Sequence, residues 1–232
     1  MTSPKLDGSD FIAFGKDVAN NVREVVEKSA SVKRVVYVSS QGARYAEGVG
    51  KVRTNYNCER ILESLACDVI FVRNCFFMEN WSSAIETIKS ENPYFYSTIA
   101  PLDYSLPTVS TRDIGKTCAT VALRARITLE RSPYILCLHG PRNFSVRDVH
   151  EAFEKVPGKK IQVRLIEKEG LRQFFEHSLL PANLVDDFVE MTQIFLPGSL
   201  LEEEMNDLSN AVRGEDTLVG AFSRMWSASK SI

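Results

Sequence analysis

No stretch of this chain approaches the ~20 consecutive apolar residues of a membrane-spanning helix. The opening Met1-Thr-Ser-Pro-Lys-Leu-Asp-Gly8 lacks the apolar core of a secretory signal, so the expectation is a cytoplasmic protein with no membrane partner. Histidine is scarce: His139, His150 and His177 form no H-x-x-x-H pair. The five cysteines (Cys58, Cys67, Cys75, Cys118, Cys137) are odd in number and never paired as C-x-x-C. Those spacings argue against a metal site and a disulfide framework and fit reduced thiols. Charge of one sign is not in excess either. With 28 basic and 30 acidic residues the net charge is −2, which gives no reason to expect nucleic acid. A glycine-rich phosphate loop is also missing. The nearest approach, Gly48-Val-Gly50-Lys-Val-Arg53, has arginine where the third glycine should stand and follows the wrong strand. It reads as a flexible loop.

What is present is ordinary globular sequence, 44% hydrophobic and 25% charged over 232 residues. From residue 10 to residue 30, Phe11, Phe14, Val18, Val22, Val25 and Val26 recur at three-four spacing, which predicts an amphipathic helix. A β-branched strand follows at residues 32–43, then a helix over about 52–66 and an apolar strand at 68–72. Strand, helix, strand is a βαβ unit with parallel pairing and a right-handed crossover. Residues 78–90 read as helical with Trp81, Ile85 and Ile88 buried. Pro93, Pro101 and Pro107 punctuate an extended stretch. Ser110-Thr-Arg-Asp113 and Ser145-Val-Arg-Asp148 are capping boxes that open helices to about residues 131 and 156. Strands are expected at 134–138 and 161–166, and mostly helical sequence to about 212. Residues 213–232 form a weakly periodic tail, loosely docked or partly disordered.

Several segments, in order, resemble the NmrA-like family of atypical short-chain dehydrogenases/reductases. They are Val35-Val-Tyr-Val-Ser-Ser40, Glu59-Arg-Ile-Leu62, Val72-Arg-Asn-Cys-Phe-Phe-Met-Glu-Asn80, Thr108-Val-Ser-Thr-Arg-Asp-Ile-Gly115, and Leu138-His-Gly-Pro141 followed by Phe144-Ser-Val-Arg-Asp-Val149. The resemblance implies an α/β fold: a Rossmann-like parallel sheet with flanking helices (about 1–73 and 109–140), here incomplete, and a small, mostly helical substrate lobe (about 74–108 and 141–212). It also implies a bound NADP(H) or NAD(H). In the family, strands, helices and a glycine fingerprint come before the point where this chain starts, and Met1-Thr-Ser-Pro4 looks like the end of the fourth strand. The expectation is therefore an N-terminally truncated member, marginally stable or partner-dependent, with a strand edge at 35–38 open to aggregation, homodimerisation or a protein partner.

Ligands in open α/β sheets sit at the carboxyl ends of the strands. That places Ser39 and Ser40, and by resemblance Asn74 and Asn80, as cofactor contacts, with Phe76, Phe77 and Met78 as an apolar substrate wall. Tyr56 and Arg60 share a helix face and imitate the tyrosine–lysine pair of ordinary dehydrogenases, which makes Tyr56 the weak candidate for catalysis. Where the family often carries a titratable residue four positions before the helix glutamate, this chain has Asn55. Lys51 is the nearby ammonium and reads as a solvated loop lysine, and Glu202-Glu-Glu204 as a solvated helix face. Two function classes stay open. One is an NAD(P)H-dependent oxidoreductase acting on a small organic substrate (a quinone, enone or secondary-metabolite intermediate). The other is a non-catalytic redox-sensing regulator acting through a protein partner, or an inactive short form.

Overall fold

The computed structural model describes residues 7–123, 132–207 and 211–230. Residues 1–4 and the end of the helix predicted to reach 131 lie outside them. In chain order the elements are α1 (Phe11–Glu27), β1 (Arg34–Ser40), α2 (Arg53–Leu62), β2 (Asp68–Asn74), β3 (Phe76–Phe77), α3 (Ala84–Lys89), β4 (Tyr94–Ser97) and β5 (Ser105–Val109). There follow α4 (Thr111–Leu123), β6 (Tyr134–His139), β7 (Asn143–Ser145), α5 (Val146–Lys155), β8 (Gln162–Leu165), α6 (Leu171–Glu176), α7 (Val185–Gln193), α8 (Glu202–Asn206), β9 (Ala211–Arg213) and α9 (Leu218–Ala228).

The main sheet runs β1-β2-β6-β9, parallel throughout, from Arg34 opposite Asp68 to Ser40 opposite Asn74 in its first pair. Helices cover both faces. Because side chains alternate along a strand, Tyr37, Val69 and Phe71 meet α1 and α2, while Ile70, Val72, Leu136 and Leu138 meet α4. Strand β2 is buried on both sides, which is why it reads as an unbroken apolar run. The small sheets β3-β5-β7 and β4-β8, together with α3, α5–α7 and α9, build a second core that forms the lobe. No helix among the described residues is long and apolar enough to cross a membrane.

Asp10 caps α1 by accepting from the Ile12 and Ala13 amides, both at 2.9 Å. The helix seats differently from its valine pattern. Gly15 and Ala19 are buried, whereas Val25 is two-thirds exposed. A Cβ on Gly15 would stand 2.4 Å from Thr54 Cγ2, so α1 and α2 approach through small residues that a hydrophobicity count undervalues.

Three other expectations are corrected. Over residues 213–230 the tail is docked: Phe222 of α9 is fully buried and stacks on Phe153 at 4.0 Å between centroids. Its buried line, Leu218, Ala221 and Phe222, has helical spacing that the small Ala221 disguised. The chain near residue 212, read as helical, contributes β9 to the main sheet. At Ser110 only half the expected capping box forms. Ser110 Oγ accepts from the Asp113 amide, but the Asp113 carboxylate accepts from the Asp216 amide and so ties the tail to α4.

The box at Ser145 is complete, and Arg142 joins it at 2.6 Å from Asp148 Oδ1. The Arg142 guanidinium, with the Ser145 amide and hydroxyl, depresses the Asp148 pKa from the ordinary 3.8 to about 2. A depressed folded-state pKa contributes stability that is present above about pH 4 and lost as pH falls toward 2. Asp148→Asn is therefore expected to flatten the stability–pH slope in that window, measured by urea unfolding at stepped pH. An unchanged slope would refute the assignment.

Candidate functional site

Just past the carboxyl ends of β1 and β2 the site is braced by a buried ion pair. Glu59 of α2, wholly inaccessible, receives Arg73 Nε at 3.0 Å on one oxygen and Nη2 at 2.6 Å on the other. The Ser39 hydroxyl donates to the same carboxylate at 2.6 Å. A fork-on-carboxylate pair is the geometry in which a desolvated charge is best compensated. Register explains the meeting: Ser39 lies opposite Arg73, and both project onto the face that α2 covers. Beyond β1, Gly42 N donates to Glu204 Oε1 at 3.1 Å while Arg44 Nε lies 3.2 Å from Oε2. Glu204 is thus a buried anchor for the turn after β1, not part of a solvated face, because α8 folds back over the strand ends.

Above this floor lies a cavity of about 610 Å³, closed on the far side by α6 and α7. Ten of its lining side chains are aromatic, in a chain with 13 phenylalanines, seven tyrosines and two tryptophans. Phe76 and Phe77 stand on the sheet side, and Phe174, Phe175 and Phe188 on the lobe side. The lining contains no carboxylate, and its one charged group is Lys51. Lys51 Nζ lies 5.0 Å from the centre of the Phe188 ring, a cation–π distance. Burial among these walls lowers its pKa below the usual lysine range. Lys51 is therefore a half-buried cavity residue rather than a solvated loop lysine. Cys75 also lines the cavity, and burial pushes its thiol so far up that it stays protonated.

The residues expected from sequence fall in three groups. Ser39, Ser40, Phe76, Phe77 and Asn80 line the cavity. Asn74 and Met78 are fully buried beside it: Asn74 Nδ2 donates to the Ser39 and Val72 carbonyls, both at 3.0 Å, and Met78 packs into the lobe core. Tyr56 is not among the lining residues. It sits under the Arg60 guanidinium, 5.7 Å from ring centre, on a face of α2 turned about 100° from the Asn55 that does line the cavity. Sequence reading missed Tyr37, Thr54, Thr98 and the whole α6–α7 wall. The Phe174-Phe175 pair was the available signal, since two adjacent aromatics on a helix cannot both face its core.

Whether these residues fit a nicotinamide nucleotide has a divided answer. A nicotinamide–ribose end would meet hydroxyls and amides at the strand ends and the start of α2, and the buried Asn74 Oδ1 has no partner among the described residues. Phosphates would meet no amide cradle among the described residues. Gly50, the best-placed glycine, gives its amide to Glu190 Oε2 at 2.6 Å, and a Cβ there would strike α7. The loop read as flexible is clasped by a helix.

A sequence model of the NmrA-like family matches residues 8–213. No curated protein matches the chain. Among solved structures, an NADPH-dependent quinone oxidoreductase from Escherichia coli, complexed with NADPH, superposes with TM-score 0.66 at 16% identity, over 96% of this chain and 74% of that one. Leucoanthocyanidin reductase from Vitis vinifera, in a binary complex with NADPH, gives 0.64 at 13% identity over 92% and 75%. NmrA, a negative transcriptional regulator in complex with NAD, gives 0.59 at 14% identity over 94% and 66%. At these identities the likeness is one of fold.

Proposed function

The chain belongs to the NmrA-like family, and from that premise we propose that it is an NAD(P)H-dependent reductase of planar aromatic carbonyl compounds, quinones foremost. The supporting observation is the aromatic cavity at the strand ends with one partly desolvated ammonium inside it. A bound nicotinamide supplies the hydride. The protein's part is to hold a flat acceptor between Phe76–Phe77 and the α6–α7 wall and to exclude water. Lys51 donates to the acceptor oxygen, which gains negative charge as the carbonyl carbon is reduced. Removing such a donor costs on the order of 10²-fold in rate. The quinone oxidoreductase and the leucoanthocyanidin reductase, both solved with NADPH, lend this reading support.

The test is to follow loss of nicotinamide absorbance with NADPH or NADH and a panel of quinones and enones, for the chain and for Lys51→Met. Turnover that falls roughly 10²-fold in the variant is the expected result. Cofactor affinity is expected to be weak, because the amide cradle for the phosphates is not found among the described residues; low-micromolar NADPH binding would overturn that. Tight binding with no turnover on any acceptor would favour the second reading, a non-catalytic regulator. That reading draws on the regulator NmrA and on the non-titrating Asn55 in the cavity.

A further inference from the structure

The charge of the cavity is one-sided. Lys51 has no carboxylate within ion-pair range among the described residues, and no acidic side chain lines the space around it. Nearby acids are already engaged elsewhere: Glu190 accepts the Gly50 amide, and Asp187 faces Arg53 at 3.9 Å. A second cation stands beside the lining residue Tyr96. Arg164 lies over the Tyr94 ring, its guanidinium carbon 3.7 Å from ring centre, and donates to the Tyr96 hydroxyl at 3.3 Å. It too forms no salt bridge among the described residues, and its other hydrogen bonds are long ones to Gln162 at 3.4 Å. Several arginines elsewhere are paired. Arg73, Arg142, Arg147, Arg172 and Arg224 each hold a carboxylate.

A half-buried ammonium without a counter-ion is costly unless something supplies the missing charge. Burial already weighs against its protonated state, and an anion arriving in the cavity reverses that balance. The walls bear on the rest of the ligand's shape, since a cavity of about 610 Å³ with ten aromatic lining side chains suits a flat ring system.

We propose that the cavity selects aromatic anions: a flat one- or two-ring system carrying an ionised carboxylate or acidic hydroxyl, seated between Phe76–Phe77 and Phe188 with its charge on Lys51, and drawn in past Arg164. The proposal rests on the reading of this cavity as the ligand site but not on hydride transfer, so a protein that proves inactive can still bear it out.

Calorimetric titration of the whole chain without nucleotide, using two matched probe pairs, provides the test. The first pair is 2-naphthoate against 2-naphthamide, equal in shape and different in charge. The second is 2-hydroxy-1,4-naphthoquinone, an anion at neutral pH, against 2-methyl-1,4-naphthoquinone. The anion of each pair is expected to bind about tenfold more tightly or better, the worth of one charge-assisted hydrogen bond. Lys51→Met should erase the preference, with affinity for the neutral member falling far less than affinity for the anion. Lys51→Arg should keep it, and Arg164→Gln should weaken it in part. Retained naphthamide binding by Lys51→Met also shows that the variant is folded. Equal binding within either pair, a preference that survives Lys51→Met, or binding of neither pair would overturn the proposal. So would a Lys51→Met variant that loses only NADPH affinity, which would make Lys51 a nucleotide contact. Turnover of neutral quinones with no preference for anions would leave the reductase reading standing and this one refuted.

Discussion

Glu59→Leu is expected to cost roughly 3–5 kcal/mol of stability, the range for removing one partner of a buried ion pair. The leucine itself would be tolerated beside Cys58 and Leu62. The penalty comes from Arg73, which is 7% exposed and would keep its charge with no carboxylate to meet it. Ser39 would lose its acceptor as well. Arg73→Met on its own should be nearly as harmful, since it strands a carboxylate that is wholly buried. The double variant Glu59→Leu/Arg73→Met should recover most of the loss, because two apolar groups of similar volume carry no desolvation penalty. Urea unfolding of the four proteins closes the cycle. A single substitution within about 1 kcal/mol of the parent, or a double variant as damaged as the two singles added together, would show that the pair is not the brace described here. The consequence reaches the cavity, because the ends of β1 and β2 carry Ser39, Ser40 and Cys75 into its lining. The Ser40 and Cys75 placements depend on strand ends that the pair holds from below.

Much of this was legible beforehand, for reasons that differ by element. The βαβ unit could be read because its signals are local: β-branched runs for β1 and β2 and a three-four pattern for α2. Trp81, Ile85 and Ile88 were read as buried, and they are, although the segment splits into a short 3-10 turn and α3. The Ser145 capping box was visible because both partners lie within four residues. What stayed hidden was long-range. Nothing near Glu204 shows that α8 returns to cap the turn after β1, so an acidic triplet reads as solvent-facing. Three-residue β9 is a strand only because β6 offers it an edge. Lys51 illustrates the same limit at the site. On its own loop it is an ordinary lysine, and it becomes a cavity residue when Phe188 arrives from a helix well over a hundred residues later. The strand-end rule located the cavity; the wall that gives it its chemical character came from contacts no local pattern encodes.

Gly50→Ala should destabilise the chain by roughly 2–5 kcal/mol, from a left-handed backbone and an overpacked contact with the lobe together. Gly50 has φ +51, and the added Cβ would stand 2.0 Å from the Asp187 carbonyl oxygen and 2.6 Å from the Met191 amide nitrogen. Both are backbone atoms of α7, so no rotamer change relieves the clash and the helix itself must move. Gly158→Ala is the matched control. It also has positive φ, +69, but its Cβ would meet nothing within 4 Å, so it should cost only the backbone share, about 1–2 kcal/mol. The difference between the two isolates the steric contact between the loop and α7. Function should follow stability here, because α7 carries Phe188, Met191 and Thr192 into the cavity and Gly50 immediately precedes Lys51. Gly50→Ala is therefore expected to weaken binding of flat aromatic ligands under conditions where the variant is still folded, and Gly158→Ala is expected to leave it unchanged. Equal destabilisation by the two alanines would mean that α7 is not clasped at Gly50. The distance between Lys51 and Phe188 would then be set by something other than this contact.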